Sequence, residues 1–388
     1  MTVLLYISLG CLLISSVILL LNRKEFTPLH SVTDHAFDAS APLVSLCIPA
    51  RDEERNIERC VLSALNQTYP NIEILVLDDQ SADHTPYILE CLANDHGDTL
   101  QVIKGVDKPD NWLGKQWACQ QLADRSEGSV LIFIDADTWL DPDAVSRVVR
   151  TMGRDIIELL TVWPMQELRT FWEKMVFPLV YYSLLSFLPC RYVYRAPRWI
   201  PPAVRWRVSP LFSAACGQFM AFKRSAYQAI GGHQAVKMHR AEDVALARAV
   251  KKAGFRMRMY HGHGAASCRM YASERELFEG FRKNFLAGFG YNLFLFLLAG
   301  LMHLLVYLLP FFALPAGFLY GSVEWIVPAG LAATIIWAHR ILLARWFRWD
   351  LSYAFLHPLG VLWFQKLGLR VLRDYFSGDP VLWKGRII

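Results

Sequence analysis

The sequence predicts an α/β protein: a doubly wound, mostly parallel sheet with membrane-seeking helices at both ends. Three observations carry this. Between residues 43 and 103, short apolar runs alternate with helix-periodic segments in β-α-β-α-β order, the pattern of a parallel sheet. Strand-ending clusters stand at 49–54, 78–83 and 135–137, and the carboxyl ends of parallel strands gather on one edge, where such sheets bind ligands. Residues 1–21 carry no charge and apolar character returns beyond residue 290, so hydrophobic residues make up 54% of the 388.

The first segment, 1–24, is read as a transmembrane anchor. About 20 apolar residues span a bilayer, and Asn22-Arg23-Lys24 close the run. A cleaved signal is disfavoured, because the start has no basic residue and no small-x-small site precedes Arg23. The basic flank places Arg23 and Lys24 in the cytosol. At the other end, 291–388, Tyr291 to Tyr320 is expected to span, although Pro310 and Pro315 interrupt it, and Ile326 to Leu343 is a second span. Arg282 and Lys283 before them, and Arg340, Arg345 and Arg348 after, read as cytosolic flanks. Leu351 to Phe376 holds too many polar residues for a clean span and reads as interfacial or re-entrant. The expected location is the inner membrane, with the catalytic part on its cytosolic face.

The central segment, 25–290, holds the sheet. Leu43–Ile48 runs into Pro49-Ala50-Arg51-Asp52-Glu53, and Ile72–Leu77 into Asp78-Asp79-Gln80-Ser81. Leu100–Ile103 is a third strand. Trp112-Leu113-Gly114-Lys115 then opens a helix, which sets an ammonium beside a phosphate or simply exposes a lysine to water. Ser129–Ile134 ends in Asp135-Ala136-Asp137. Paired carboxylates suit a hard divalent cation; the same residues also suit an ordinary acidic turn. Residues 171–206 mix aromatic and apolar residues with Arg191, Arg195, Arg198 and Arg205, as a helix in the bilayer interface does. Ala215–Phe222 is a further strand, with Gly217 permitting close backbone approach. Glu242 and Asp243 open the next helix. Its macrodipole accounts for acids there, and an ionised Asp243 at the cleft would accept a proton.

Charge and thiols narrow the function. A net charge of +5 fits anionic lipid or phosphate and is too weak to argue for nucleic acid. The eight cysteines form no C-x-x-C pair, which suits reduced thiols on the cytosolic side. A transporter would need more spans and paired charges within them.

The clusters at 49–53, 78–81, 114–115, 135–137 and 242–243 stand in the order seen in family-2 inverting glycosyltransferases, and the chain resembles their membrane-attached members. It is most similar to the carotenoid- and hopanoid-associated branch, through Trp112-Leu113-Gly114-Lys115-Gln116-Trp117-Ala118-Cys119 and the tail Trp383-Lys384-Gly385-Arg386. The resemblance covers residues 43–290 plus the tail. It implies a GT-A domain and a nucleotide diphosphate sugar donor, UDP-glucose by default. Pro49, Arg51 and Glu53 would line the nucleotide site; Asp79 would meet the base, with Asp78 shaping its loop. Lys115 would lie near the diphosphate, and Asp135 and Asp137 would face it and a Mg2+ or Mn2+ ion. Asp243 would be the general base, and Arg386 would bring a cation to the diphosphate unless the tail is merely solvated. Processive relatives carry Gln-x-x-Arg-Trp where this chain reads Phe281-Arg282-Lys283-Asn284-Phe285. That departure favours one sugar on one lipid-like acceptor over a polysaccharide synthase subunit. A non-catalytic nucleotide-sugar binder is disfavoured by the intact acids.

Overall fold

The computed structural model describes residues 1–31, 37–38, 40–97, 99–378, 382–383 and 386–387. The chain divides into two compact units. One comprises Phe26–Glu167 and Cys190–Met270; the other comprises Met1–Glu25, Leu168–Pro189 and Tyr271–Ile388. The stretch 171–206, read above as a single interfacial segment, is divided between them.

The first unit is built on strands β1 (Val44–Ala50), β2 (Ile72–Asp78), β3 (Leu100–Lys104), β4 (Val130–Ile134), β5 (Thr138–Leu140), β6 (Leu159–Trp163), β7 (Met165–Gln166), β8 (Phe219–Lys223), β9 (Met257–His261) and β10 (Ala266–Cys268). Seven form the main sheet in the order β3-β2-β1-β4-β8-β6-β9, while β5, β10 and β7 form a small second sheet. The continuous apolar runs of β1, β2 and β4 are buried, as strands covered on both faces require. Leu46, Ile48, Val76 and Ile132 belong to one core with Val61 and Val145 of the covering helices.

β1, β2, β3 and β4 are mutually parallel, as the sequence predicts. β8 runs antiparallel to both β4 and β6. It begins at Phe219, later than the expected Ala215, because residues 216–218 form the turn that enters it. The reversal matters for the site. Ile134 pairs with Phe219, so the carboxyl end of β4 lies beside the amino end of β8. Asp135 therefore follows one strand exactly where Gly217 and Gln218 precede the other, and the Asp135 N–H donates to the Gln218 carbonyl at 3.1 Å.

The second unit is helical. Thr2–Glu25 and Val323–Phe347 are each long and apolar enough to cross a membrane. The single span expected over Tyr291–Tyr320 is instead two helices, Leu293–Tyr307 and Leu309–Tyr320. Pro310 explains the break, since it lacks the N–H that would bond the carbonyl four residues back and its ring crowds that carbonyl. Glu274–Phe289 and Leu293–Tyr307 meet at a bend of 114°. Helix Phe171–Phe187 starts in a capping box, with Thr170 Oγ1 accepting from the Glu173 N–H and Glu173 Oε2 accepting from the Thr170 N–H. Asn22 Nδ2 satisfies carbonyls at its far end, donating to Leu185 and Leu188 at 2.7 Å each. Arg340, expected on a basic flank, is instead 2% exposed, because its helix continues to Phe347 and turns residue 340 inward. In the tail, Leu382–Trp383 pairs with Arg386–Ile387; Lys384, Gly385 and the Arg386 side chain lie outside what the structure describes.

Gly128 marks the tightest approach in the sheet unit. Its N–H donates to Ser45 Oγ at 2.8 Å, and an added Cβ would sit 2.5 Å from Ser45 N and 2.8 Å from the Leu43 carbonyl. Because those are backbone atoms of β1 and its approach, Gly128→Ala should lower stability by about 1–3 kcal/mol. Thermal unfolding of the purified protein should show a clearly reduced Tm; an unchanged Tm would mean that β1 yields freely at this point.

Candidate active site

The loops after β1 and β2 interlock. The Asp79 N–H donates to the Ala50 carbonyl at 2.8 Å, and Arg51 Nη1 donates to the carbonyls of Asp79 at 2.6 Å and Gln80 at 3.3 Å. Asp52 Oδ1 accepts from the Ala82 N–H, and Asp78 Oδ1 from the Ser81 N–H. Asp52 and Gln80 hold positive φ of 50° and 59°, a costly backbone region that persists only where neighbours fix it. Asp78 and Asp79 are buried. Pro49 sits within β1 opposite Leu77. The Glu53 N–H donates to Thr85 Oγ1 at 2.8 Å. Thus the predicted nucleotide residues do share one edge, and Arg51 has a structural task there in tying the loops together.

The second half of the site centres on Lys115, in the first turn of helix Gly114–Arg125. Its Nζ lies 2.6 Å from Asp135 Oδ1 and 3.1 Å from Glu242 Oε1, and donates to the Gly217 carbonyl at 3.4 Å. Burial pulls the ammonium pKa down, but Asp135 and Glu242 outweigh it and hold the lysine firmly protonated. Asp243 accepts from the Gly217 N–H at 3.1 Å through Oδ2 and from the Val244 N–H at 2.8 Å through Oδ1. Burial and the adjacent Glu242 charge push Asp243 up to about 7, against the pull of those two amides and Lys115. Gly217 stands at the centre: a Cβ there would meet Glu242 Oε1 and Lys115 Nζ, both at 3.2 Å. Lys115, Asp135 and Asp243 are therefore brought together. Glu242, to which the sequence reading gives no role, completes the group.

Asp137 lies on the turn between β4 and β5. Cys268 Sγ donates to its Oδ1 at 3.4 Å, and Gln218 Nε2 reaches the same sulfur at 2.7 Å. Burial and Asp137 hold the Cys268 thiol protonated, so it serves as donor. Burial, then the charges of Asp135 and Glu53, push Asp137 up to about 7. Glu53 thus acts at the acidic pair as well as in the nucleotide loop. Cys268 and Gln218 have no motif signal in the sequence; only the pairing of β10 beside β5 brings Cys268 to Thr138.

A divalent metal fits this donor set. Among the described residues no group of three His, Cys, Asp or Glu side chains could hold an ion alone. Two carboxylates with substrate phosphate oxygens are, however, the usual way Mg2+ is held. Asp135 is already neutralised by Lys115, whereas Asp137 carries the surplus negative charge that a cation would relieve.

Comparison with known proteins decides the family. Residues 45–231 match the model of "Glycosyl transferase family 2", and residues 207–272 that of "Glycosyl transferase family 21". The chain carries a family 2 glycosyltransferase domain. It is 25% identical over 259 residues to the 4,4'-diaponeurosporenoate glycosyltransferase of Staphylococcus haemolyticus, covering 63% of this chain and 61% of that one. With the enzyme of the same description from Staphylococcus aureus strain N315 it is 25% identical over 378 residues, 95% of this chain and 92% of that one. A mannosyltransferase of Pyrobaculum calidifontis, solved with GDP-Man and Mn2+, shares the fold at a TM-score of 0.54 and 15% identity, covering 97% of this chain and 98% of that one. The glycosyltransferase domain contains every strand-end cluster described above except Glu242 and Asp243, which fall within the family 21 match.

The Lys115 contacts make a prediction. In Lys115→Met the carboxylates of Asp135 and Glu242 lose their cation, and the pKa values of Asp137 and Asp243, which the Lys115 charge holds down, rise further. A raised carboxyl pKa contributes stability below the unfolded value and forfeits it as pH rises. The variant should therefore lose stability progressively from about pH 4 to pH 8 relative to the parent, and its transfer rate should fall by about 100-fold or more. Thermal melts across that pH range check the first effect and initial rates the second.

Proposed function

We propose that this glycosyltransferase moves a single sugar from a nucleotide diphosphate donor to a lipid-like acceptor at a membrane. The observation that carries the reading is the Lys115–Asp135–Glu242 cluster with Asp243 bonded to the Gly217 amide beside it. The ammonium stands where a diphosphate gathers charge as it leaves, and such preorganised charge is often the largest catalytic term. Asp135 and Asp137 hold the divalent cation, Mg2+ or Mn2+, which when bound neutralises phosphate oxygens. Asp243 takes the proton as the acceptor oxygen attacks the anomeric carbon; the new C–O bond forms, the bond to the diphosphate breaks, and the carbon inverts. Pro49, Arg51, Glu53, Asp78 and Asp79 frame the nucleotide, and Arg386 adds a cation from the tail. UDP-glucose is the default donor.

The acceptor follows from two supports. The curated relatives are carotenoid-acid glycosyltransferases by description, and this chain carries two helices able to cross a membrane. Trp199 and Leu211 are also largely exposed in the arginine-rich part of the sheet unit, which suits a bilayer surface. The catalytic part is assigned to the cytosolic face of the inner membrane.

Membranes holding the protein should be incubated with labelled nucleotide sugars and extracted into organic solvent. Label should enter the lipid phase; label confined to an insoluble polymer would favour a polysaccharide synthase, and none with any donor would favour a binding protein.

Asp243 gives a second test. With its pKa near 7, the rate should climb as pH rises through that region. Asp243→Asn should lower kcat by about 10²–10⁴-fold while leaving donor binding, read by nucleotide titration, nearly unchanged. A flat pH profile together with an active Asn variant would mean that the acceptor arrives already ionised and that Asp243 is not the base.

A further inference from the structure

The helical unit contains a second polar cluster, built from residues that the transfer chemistry does not use. Arg340 is 2% exposed and His357 1% exposed. Among the described residues, Nε and Nη1 of Arg340 have no hydrogen-bond partner, and the ring nitrogens of His357 have none of good geometry, although the Tyr307 backbone lies beside them. Arg340 also has no ion pair among the described residues, and several acids of this unit are committed elsewhere. Asp374 pairs with Arg282 and Arg370, Glu279 with Arg282, and Glu173 caps its own helix. Glu274 accepts from Trp363, and Asp350 from Ser352.

The surroundings are ordered and largely aromatic. Tyr182 stacks edge-on against Tyr307, His339 and His357, with centroids 5.1, 5.7 and 5.8 Å away. Tyr307 and Phe311 approach the His357 ring at 5.9 and 5.8 Å. Tyr182 Oη and His339 Nδ1 are hydrogen bonded at 3.0 Å, and His339 Nε2 and Ser16 Oγ at 2.8 Å. The charge of Arg340 acts on both Tyr182 and His357. Tyr182 and His339 are thus held in place by bonds of their own, while the guanidinium, the His357 imidazole and the Tyr307 hydroxyl remain unsatisfied.

A buried guanidinium without a counter-ion is costly, and within an apolar helix it marks a functional place. Its fork of N–H donors matches an oxyanion in two-point geometry. The aromatic and apolar side chains beside it suit a hydrocarbon chain. We propose that Arg340 and His357 form a binding site for the oxyanion head of an apolar lipid, a carboxylate or a phosphate. The site is separate from the transfer chemistry, and its ligand is a carboxylate lipid or a bilayer phospholipid.

The test measures binding without any nucleotide sugar, so its outcome is separate from that of the transfer assay. The full chain is placed in phosphatidylcholine nanodiscs and titrated with labelled oleate and labelled methyl oleate. Oleate should bind saturably, and the ester at least about tenfold more weakly, for want of a charge-assisted bond. Arg340→Gln should abolish that discrimination, and Arg340→Lys should keep part of it. Should Arg340→Gln fail to fold, His357→Gln, which keeps the volume of the site and its neutrality, should weaken oleate binding in the same direction. Competition by phosphatidylglycerol would assign the site to bilayer phosphate, and its failure to compete would assign it to a carboxylate lipid; both support an oxyanion site. Equal binding of acid and ester, or oleate binding unaltered in Arg340→Gln or in a folded His357→Gln, would overturn it.

Discussion

One lysine nitrogen holds the candidate site together. Lys115 Nζ is shared by Asp135 after β4, Glu242 at a helix start and the carbonyl of Gly217 before β8. These groups come from widely separated parts of the chain, and each would repel or desolvate the others without the ammonium between them. Paired buried charges are tolerable only when geometry and further hydrogen bonds compensate for desolvation. Here the compensation is the strand order: antiparallel β8 delivers the Gly217 amide and carbonyl to opposite duties, the amide to Asp243 and the carbonyl to Lys115. Had β8 run parallel to β4, its carboxyl end would lie at this edge and Gly217 would be at the other.

The same constraint explains Gly217 itself. Its Cα is enclosed by Glu242 and Lys115 closely enough that even a methyl group would press on both. The residue is small because the ion pair passes over it. A reading from sequence recognises that a glycine permits close approach but cannot say what approaches.

Much of the fold was legible for a physical reason. Buried parallel strands write themselves as apolar runs ending in polar clusters, and β1, β2 and β4 did so. The edge on which Arg51, Asp79, Lys115, Asp135 and Asp243 would gather followed from the direction of those strands. What was hidden depended on distance along the chain. The antiparallel sense of β8 is set by the path from Pro164 to Gln218, which has no local signature. Glu242 looked like a helix-start acid, which it also is. Cys268 reaches Asp137 only because β10 pairs with β5. In the helical unit, Pro310 was visible as an interruption, but its effect was underestimated, and two short helices replace one span. Arg340 was misplaced because a basic residue near the end of an apolar run resembles a flank; about two further helical turns, out to Phe347 and its packing, put it inside.

The acids of the site also set how stability and ligand binding are linked. Asp137 and Asp243 both have folded-state pKa values near 7, against an ordinary value of 3.8. Between those limits the folded chain holds protons that the unfolded chain has released, so these groups favour folding below about pH 4 and lose that contribution as pH rises through 7. At neutral pH most of that contribution is gone. Were Asp137 to hold a divalent cation, the sign would reverse for that residue, because a cation favours the carboxylate form. Ligand that binds only the folded chain adds stability by mass action. Asp243 lacks such a partner, being held by two amides and set beside Glu242. A pKa raised toward neutrality is the condition a proton acceptor needs.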